Sequence, residues 1–184
     1  MKKIVTIMIT LASAAILLFV MHLNISVAGE LKYVGTKKCM GCHRVQYKSW
    51  QSDYHSKALD DLKAGVKAEE KTKANLDPEK DYTADSSCLE CHATGYGKLA
   101  APKAALDNVG CESCHGPGSA YKSPKIKSRK KWKENPEEQR KLAVEAGLIM
   151  TPSKESCVAC HNDKSPTWNG FEYEKMVEDV KHKK

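Results

Sequence analysis

Eight cysteines fall in four pairs with two residues between the members, and a histidine follows each pair at once. The four runs are Cys39-Met40-Gly41-Cys42-His43, Cys88-Leu89-Glu90-Cys91-His92, Cys111-Glu112-Ser113-Cys114-His115 and Cys157-Val158-Ala159-Cys160-His161. Eight cysteines in an exported chain would ordinarily read as a disulfide framework, but such a framework does not demand a histidine after every pair. Zinc ribbons also use C-x-x-C pairs, yet they need no histidine beside each one and depend on thiolates kept reduced. The spacing C-x-x-C-H is that of haem attachment. Two thiols add across the vinyl groups of one porphyrin, and the adjacent imidazole is thereby held under the iron as its proximal ligand. The motifs therefore predict four covalently attached haems c. Cys39, Cys42, Cys88, Cys91, Cys111, Cys114, Cys157 and Cys160 are the attachment residues, and His43, His92, His115 and His161 the proximal iron ligands.

Composition points the same way. After residue 28 the chain holds nine Leu, eight Val, two Ile and one Phe in 156 residues, a share at which composition alone predicts disorder. Four large apolar porphyrins remove the difficulty, because the chain then wraps its cofactors and has little core of its own. Without haem it is not expected to fold. The formal charge of +7 includes Lys2 and Lys3, leaving 28 basic against 23 acidic residues after the N-terminal segment. Taken alone, that excess suggests an acidic partner such as a nucleic acid or a membrane surface. Eight propionates against four ferric centres contribute about −4, which brings the loaded protein near neutrality.

Lys2 and Lys3 precede a mostly apolar run from Ile4 to Met21, and Ser26-Val27-Ala28 places small residues where a signal peptidase reads. Residues 1–28 are therefore expected to be a secretory signal cleaved before Gly29. An uncleaved anchor is the alternative, since the run approaches membrane-spanning length. In either case residues 29–184 form a single tetrahaem domain that is periplasmic or otherwise exported. Membrane contact is expected only if the segment is retained, and the exported location excludes nucleic acid as a partner.

Apolar periodicity predicts a helix over Gln46 to Lys63, with Trp50, Tyr54, Ala58, Leu59 and Leu62 at helical spacing and Gly65 as its stop. Asn135-Pro136-Glu137-Glu138 is a helix start with a capping Asn and Pro at the first helical position, and Gly147 is the expected end. Phe171 to Lys181 places Tyr173, Met176, Val177 and Val180 on one face. Val66 to Ser87, charged and poor in aromatics, reads as a solvated connection. No strand alternation is visible, so the class is mainly α with much irregular chain and no substantial sheet. The motif starts lie 49, 23 and 46 residues apart, and the close middle pair is expected to bring two haems into contact.

The sixth ligand of each iron decides the function. An iron with histidine on both faces shuttles electrons, whereas one with an open face binds small molecules. Outside the motifs and His22 of the leader, only His55 and His182 remain. His55, in the Trp50 to Leu62 segment, is read as a ligand in preference to a surface histidine. His182, in a Lys-rich tail that otherwise just solvates a terminus, is read as a ligand delivered by the amphipathic helix before it. Met150 and Met176 are further candidates, although a methionine on a helix face is more often packing.

Several runs carry a resemblance: the first motif with Trp50-Gln51-Ser52-Asp53-Tyr54-His55, the run from Cys88 to Tyr96, the run from Val109 through Gly116-Pro117-Gly118, and the ending Phe171 to Val177 with a late His182. Together they resemble the tetrahaem cytochrome c-554 family over nearly the whole chain after the leader. The resemblance implies a helical electron carrier with closely stacked haems, most irons bis-histidine and one of them five-coordinate, with His55 and His182 as distal ligands. The sequence departs from the family by lacking a third spare histidine.

Two functional classes compete on this reading. The first is a carrier that passes single electrons between redox partner proteins. The second is an enzyme or ligand-binding protein acting on a small nitrogen oxide at an open iron. The carrier is favoured, because catalysis would need proton donors converging on an open face and the sequence identifies none. Lys122 to Lys133 holds seven basic residues and no acid. It reads as a solvated loop, as counter-charge for propionates, or as a docking patch for an acidic redox partner.

Overall fold

A computed structural model describes residues 31–97 and 108–182; the expected leader, residues 1–28, lies outside the described residues. Leu31 to Lys184 belongs to one compact unit. Among the described residues all regular structure is helical and no strand occurs, in agreement with the mainly α class.

The motifs sit on or beside short helices. These are α1 (Lys37–Met40), α4 (Ser86–His92), α5 (Cys111–His115) and α8 (Lys154–Val158). A single helical turn suits the chemistry, because residues at i, i+3 and i+4 lie on one face and so aim both thiols and the imidazole at one porphyrin. The His43 N–H donates to the Cys39 carbonyl at 3.0 Å and His161 N–H to Cys157 at 2.9 Å, which closes this turn in the first and fourth motifs.

The single helix expected over Gln46 to Lys63 is instead broken. Helix α2 (Arg44–Gln51) ends at Ser52, and two 3₁₀ turns follow at Tyr54–Lys57 and Asp60–Leu62. Asp53 is the cause: its carboxylate accepts from the His55 N–H at 2.8 Å, a local bond that competes with continuation of the helix. His55 therefore stands on a tight turn, and Tyr54, expected on the buried face, is 88% exposed.

The segment Val66 to Ser87 is not the plain solvated connection its charge suggests. It contains α3 (Ala68–Lys73) and buries Tyr82 against Leu62, whose carbonyl accepts from the Tyr82 N–H at 2.9 Å. Lys71 is buried too: its ammonium lies over the Tyr82 ring, 5.5 Å from the centroid, and donates to the Lys63 carbonyl. A long charged side chain can cover apolar surface in this way and still satisfy its head.

Helix α6 (Arg129–Glu134) begins at the Ser128 cap and was not signalled by periodicity. Helix α7 (Pro136–Glu145) starts where the sequence says, the Asn135 Oδ1 accepting from the Glu138 N–H at 3.1 Å. The chain leaves it at Gly147, whose φ of +93° suits only glycine. Helix α9 (Tyr173–Val180) falls inside the expected Phe171 to Lys181 span.

The buried hydrophobic residues among those described are Ala58, Leu62, Tyr82, Ala93 and Ala143. That is too little to stabilise a domain of this length. Meanwhile Met40, Val45, Ile149, Trp168, Met176 and Val180 stay exposed on the protein alone. A chain so patterned needs large apolar bodies to cover these side chains.

Candidate haem centres

No disulfide joins any of the eight cysteines. Cys39 donates to Cys111, which pushes the Cys39 thiol up and holds Cys111 down to about 7, so the first motif lies against the third. Burial, and after it the Cys157 thiol, pushes Cys114 up to about 11, which puts the third motif beside the fourth. A cleft of about 510 Å³ is lined by Cys91 and His92, Cys114, and Cys157, Cys160 and His161, together with His55, Phe171 and Met176. Residues of three motifs thus face one apolar space of the size that holds an organic ligand.

Two of the motif histidines are locked in one tautomer. His92 Nδ1–H donates to the Ala58 carbonyl at 2.6 Å, and His115 Nδ1–H donates to the Ile149 carbonyl at 2.7 Å. A donor at Nδ1 leaves the Nε2 lone pair free, which is the arrangement metal-ligating histidines adopt. The Ala58 and Ile149 carbonyls lie far along the chain from these rings, and sequence reasoning did not find them.

The spare imidazoles stand opposite motif imidazoles. The His55 and His161 ring centroids are 6.0 Å apart at an interplanar angle of 65°, and those of His115 and His182 are 6.2 Å apart at 27°. Two imidazoles whose nitrogens each lie about 2 Å from one metal bring their centroids to roughly 6 Å whatever their mutual rotation. Burial, followed by the neighbouring ring, holds His161 and His182 below the usual histidine range. Burial lowers His55 against the opposing pull of Asp53. Each shift favours the neutral ring, the form that ligates a metal. Phe171 stacks on His161 at 4.8 Å. Both methionines are exposed on the protein alone; Met176 lines the cleft and Met150 does not.

The turn carrying His55 is pinned from the third motif's approach. Val109 N–H donates to the His55 carbonyl at 3.1 Å, the Asn108 side chain accepts from Leu59 N–H at 2.7 Å, and Trp50 Nε1–H donates to the Val109 carbonyl at 2.9 Å. Just beyond, Gly110 packs so tightly that a Cβ there would stand 2.0 Å from Thr36 Oγ1. Thr94 Oγ1 accepts from Gly110 N–H at 2.8 Å and donates to the Asn108 carbonyl at 2.7 Å.

Glu112, inside the third motif, is 1% exposed. Its Oε1 accepts from Gly118 N–H at 2.6 Å and Val34 N–H at 2.9 Å; its Oε2 accepts from Gly35 N–H at 2.7 Å and Val34 N–H at 3.0 Å. One carboxylate thus ties residues 34–35, α5 and the Gly116-Pro117-Gly118 turn together. Its charge, placed between two motif cysteines, was the available signal in the sequence.

The thiols, the lone pairs and the uncovered apolar surface fit covalent haem. Known proteins agree. The profile of the family described as "Cytochrome c554 and c-prime" matches residues 38–116. Cytochrome c-554 of Nitrosomonas europaea is 37% identical over 199 aligned positions, spanning 95% of this chain and 84% of the relative. The solved structure titled as the reduced state of cytochrome c554 from Nitrosomonas europaea superposes with a TM-score of 0.70 at 35% identity, covering 83% of this chain and 84% of that one. With its four attachment motifs on this helical frame, the chain belongs to the cytochrome c554 family and is an electron-transferring c-type cytochrome with four covalently attached haems.

Proposed function

We propose that residues 29–184 form an exported single-domain carrier in which two irons are bis-histidine and two hold one imidazole each. The facing pairs His55–His161 and His115–His182, both at ring separations near 6 Å, carry this reading. Cys39 and Cys42, Cys88 and Cys91, Cys111 and Cys114, and Cys157 and Cys160 each hold one haem. The haems supply the one-electron chemistry; the chain supplies attachment, ligation, exclusion of water and the order of the row. His43 and His92 are the proximal ligands left without a second histidine, because the remaining one, His22, lies in the expected leader.

Contact between the first and third motifs, and between the third and fourth, supports a continuous electron path, since electrons pass readily only between closely spaced centres. Among the described residues no helix is long and apolar enough to cross a membrane.

The basic run favours an acidic redox partner. Lys125, Lys127, Arg129, Lys131 and Lys133 are exposed. The loop beneath them is held by Trp132 Nε1–H on the Ile126 carbonyl at 2.7 Å, and by the buried Gln139 amide turned to donate to the Lys125 and Ile126 carbonyls at 3.2 Å. A fixed positive surface steers association and makes it sensitive to salt.

Stopped-flow exchange with an acidic and a basic acceptor protein tests the reading. The holoprotein should reduce the acidic acceptor faster, the advantage should shrink as salt rises, and Lys125→Glu with Lys131→Glu should remove it. An unchanged preference in that variant would exclude the patch, and a titration with fewer than four one-electron centres would exclude the carrier as described.

A further inference from the structure

Glu112 does more than tie loops together. We propose that it is a fixed negative charge that depresses the reduction potential of the haem iron bound by His115. The inference rests on the assignment of Cys111, Cys114 and His115 to one haem.

The geometry sets the charge state. The groups that meet the Glu112 oxygens are three backbone N–H donors, those of Val34, Gly35 and Gly118, with Val34 shared so that each oxygen accepts two bonds. A protonated carboxyl would have to point its O–H at an acceptor, and the site presents only donors, so the group is a carboxylate. Backbone N–H groups hold it without cancelling its net charge, and among the described residues no Lys, Arg or His forms an ion pair with it. Tyr33 and Tyr121 nearby are pushed up by burial and, after that, by this same charge, so they stay neutral.

The position sets the effect. Glu112 lies between the two cysteines of its motif and three residues before His115 on helix α5. Residues three apart on a helix have Cβ atoms about 5–6 Å from each other. Glu112 therefore starts from the same short helix as the proximal ligand, and its carboxylate is 1% exposed, away from screening water. Reduction adds an electron to the iron, and a buried anion at that range opposes it more strongly than an exposed one would. None of the other motifs carries an acidic residue directly after its first cysteine: those positions are Met40, Leu89 and Val158. The same carboxylate also bears on Cys39 of the first motif, and what distinguishes the third motif is that it carries the acid on its own helix.

Glu112→Gln in the full holoprotein is the test, with midpoint potentials read centre by centre by electron paramagnetic resonance during a redox titration. The low-spin signal lost in His182→Ala identifies the His115 iron. In Glu112→Gln that signal should titrate at higher potential, while the His55–His161 signal stays in place. Glu112→Asp, which keeps the charge, should restore most of the native value. Loss of a haem in native protein by mass analysis would overturn the assignment beneath the inference. Four haems with an unmoved His115 potential in Glu112→Gln would overturn the inference itself and leave Glu112 a clamp. Should neither variant accumulate, infrared difference spectra of native protein decide. Reduction of the His115 centre should shift carboxylate stretching bands that move with ¹³C-glutamate labelling, and no such bands at that potential would refute the proposal.

Discussion

The ring centroids of His115 and His182 lie 6.2 Å apart, with the ring planes 27° from parallel. One belongs to a helical turn in the middle of the chain and the other to the tail after α9. His115 is oriented from behind by the Ile149 carbonyl at 2.7 Å, and a ring so held keeps its Nε2 lone pair free for a metal. Replacing His182 by Ala should therefore convert one low-spin ferric iron to high-spin, and His55→Ala should convert a different one. Electron paramagnetic resonance of the oxidised native protein should count two bis-histidine low-spin centres. Four bis-histidine signals, or an unchanged count in either variant, would contradict the pairing.

Protein matured with haem-attachment machinery should show four covalent haem additions by denaturing mass analysis. The same chain made without that machinery should lack fixed helical structure by circular dichroism, because so little aliphatic surface is buried by the protein alone. Two or fewer additions, or disulfides among the eight cysteines, would defeat this.

The bis-histidine irons should titrate below the range of His/Met cytochromes, since thioether ligation raises the potential. Optical titration against a reference electrode measures it. All four centres at high positive potential would be incompatible with ligation by His55 and His182.

Gly110→Ala should cost about 1–3 kcal/mol, read as a fall in Tm of the holoprotein. The added methyl meets Thr36 Oγ1 at 2.0 Å and would part the Thr36, Thr94 and Gly110 contacts that seat the third motif. Gly41→Ala, with nothing within 4 Å of the new carbon, should be nearly silent, and equal losses in the two variants would rule out the steric account.

Haem attachment was legible in the residues because its chemistry is local. Two thiols and an imidazole must share one helical turn, so five consecutive positions state it completely. Helix α7 was legible for the same reason: Asn135 and Pro136 are adjacent to the backbone groups they cap or replace. The His55 segment was misread because apolar spacing alone cannot register that the Asp53 side chain captures the His55 N–H and stops the helix. Tyr82 shows the converse, one aromatic in a charged stretch gathering a small lobe by contacts with Leu62 and Lys71.

What the sequence determined by itself is thus the number of haems and the shortage of imidazoles, both of which follow from counting and short spacing. Tertiary structure alone decided which motif histidine each spare imidazole faces, which carbonyls orient the rings, and that Glu112 is a buried ion with three N–H partners. Those relationships join residues tens of positions apart, and no local pattern encodes them. They arise only when the turns around Thr36, Val109 and Gly118 close on one another and exclude water.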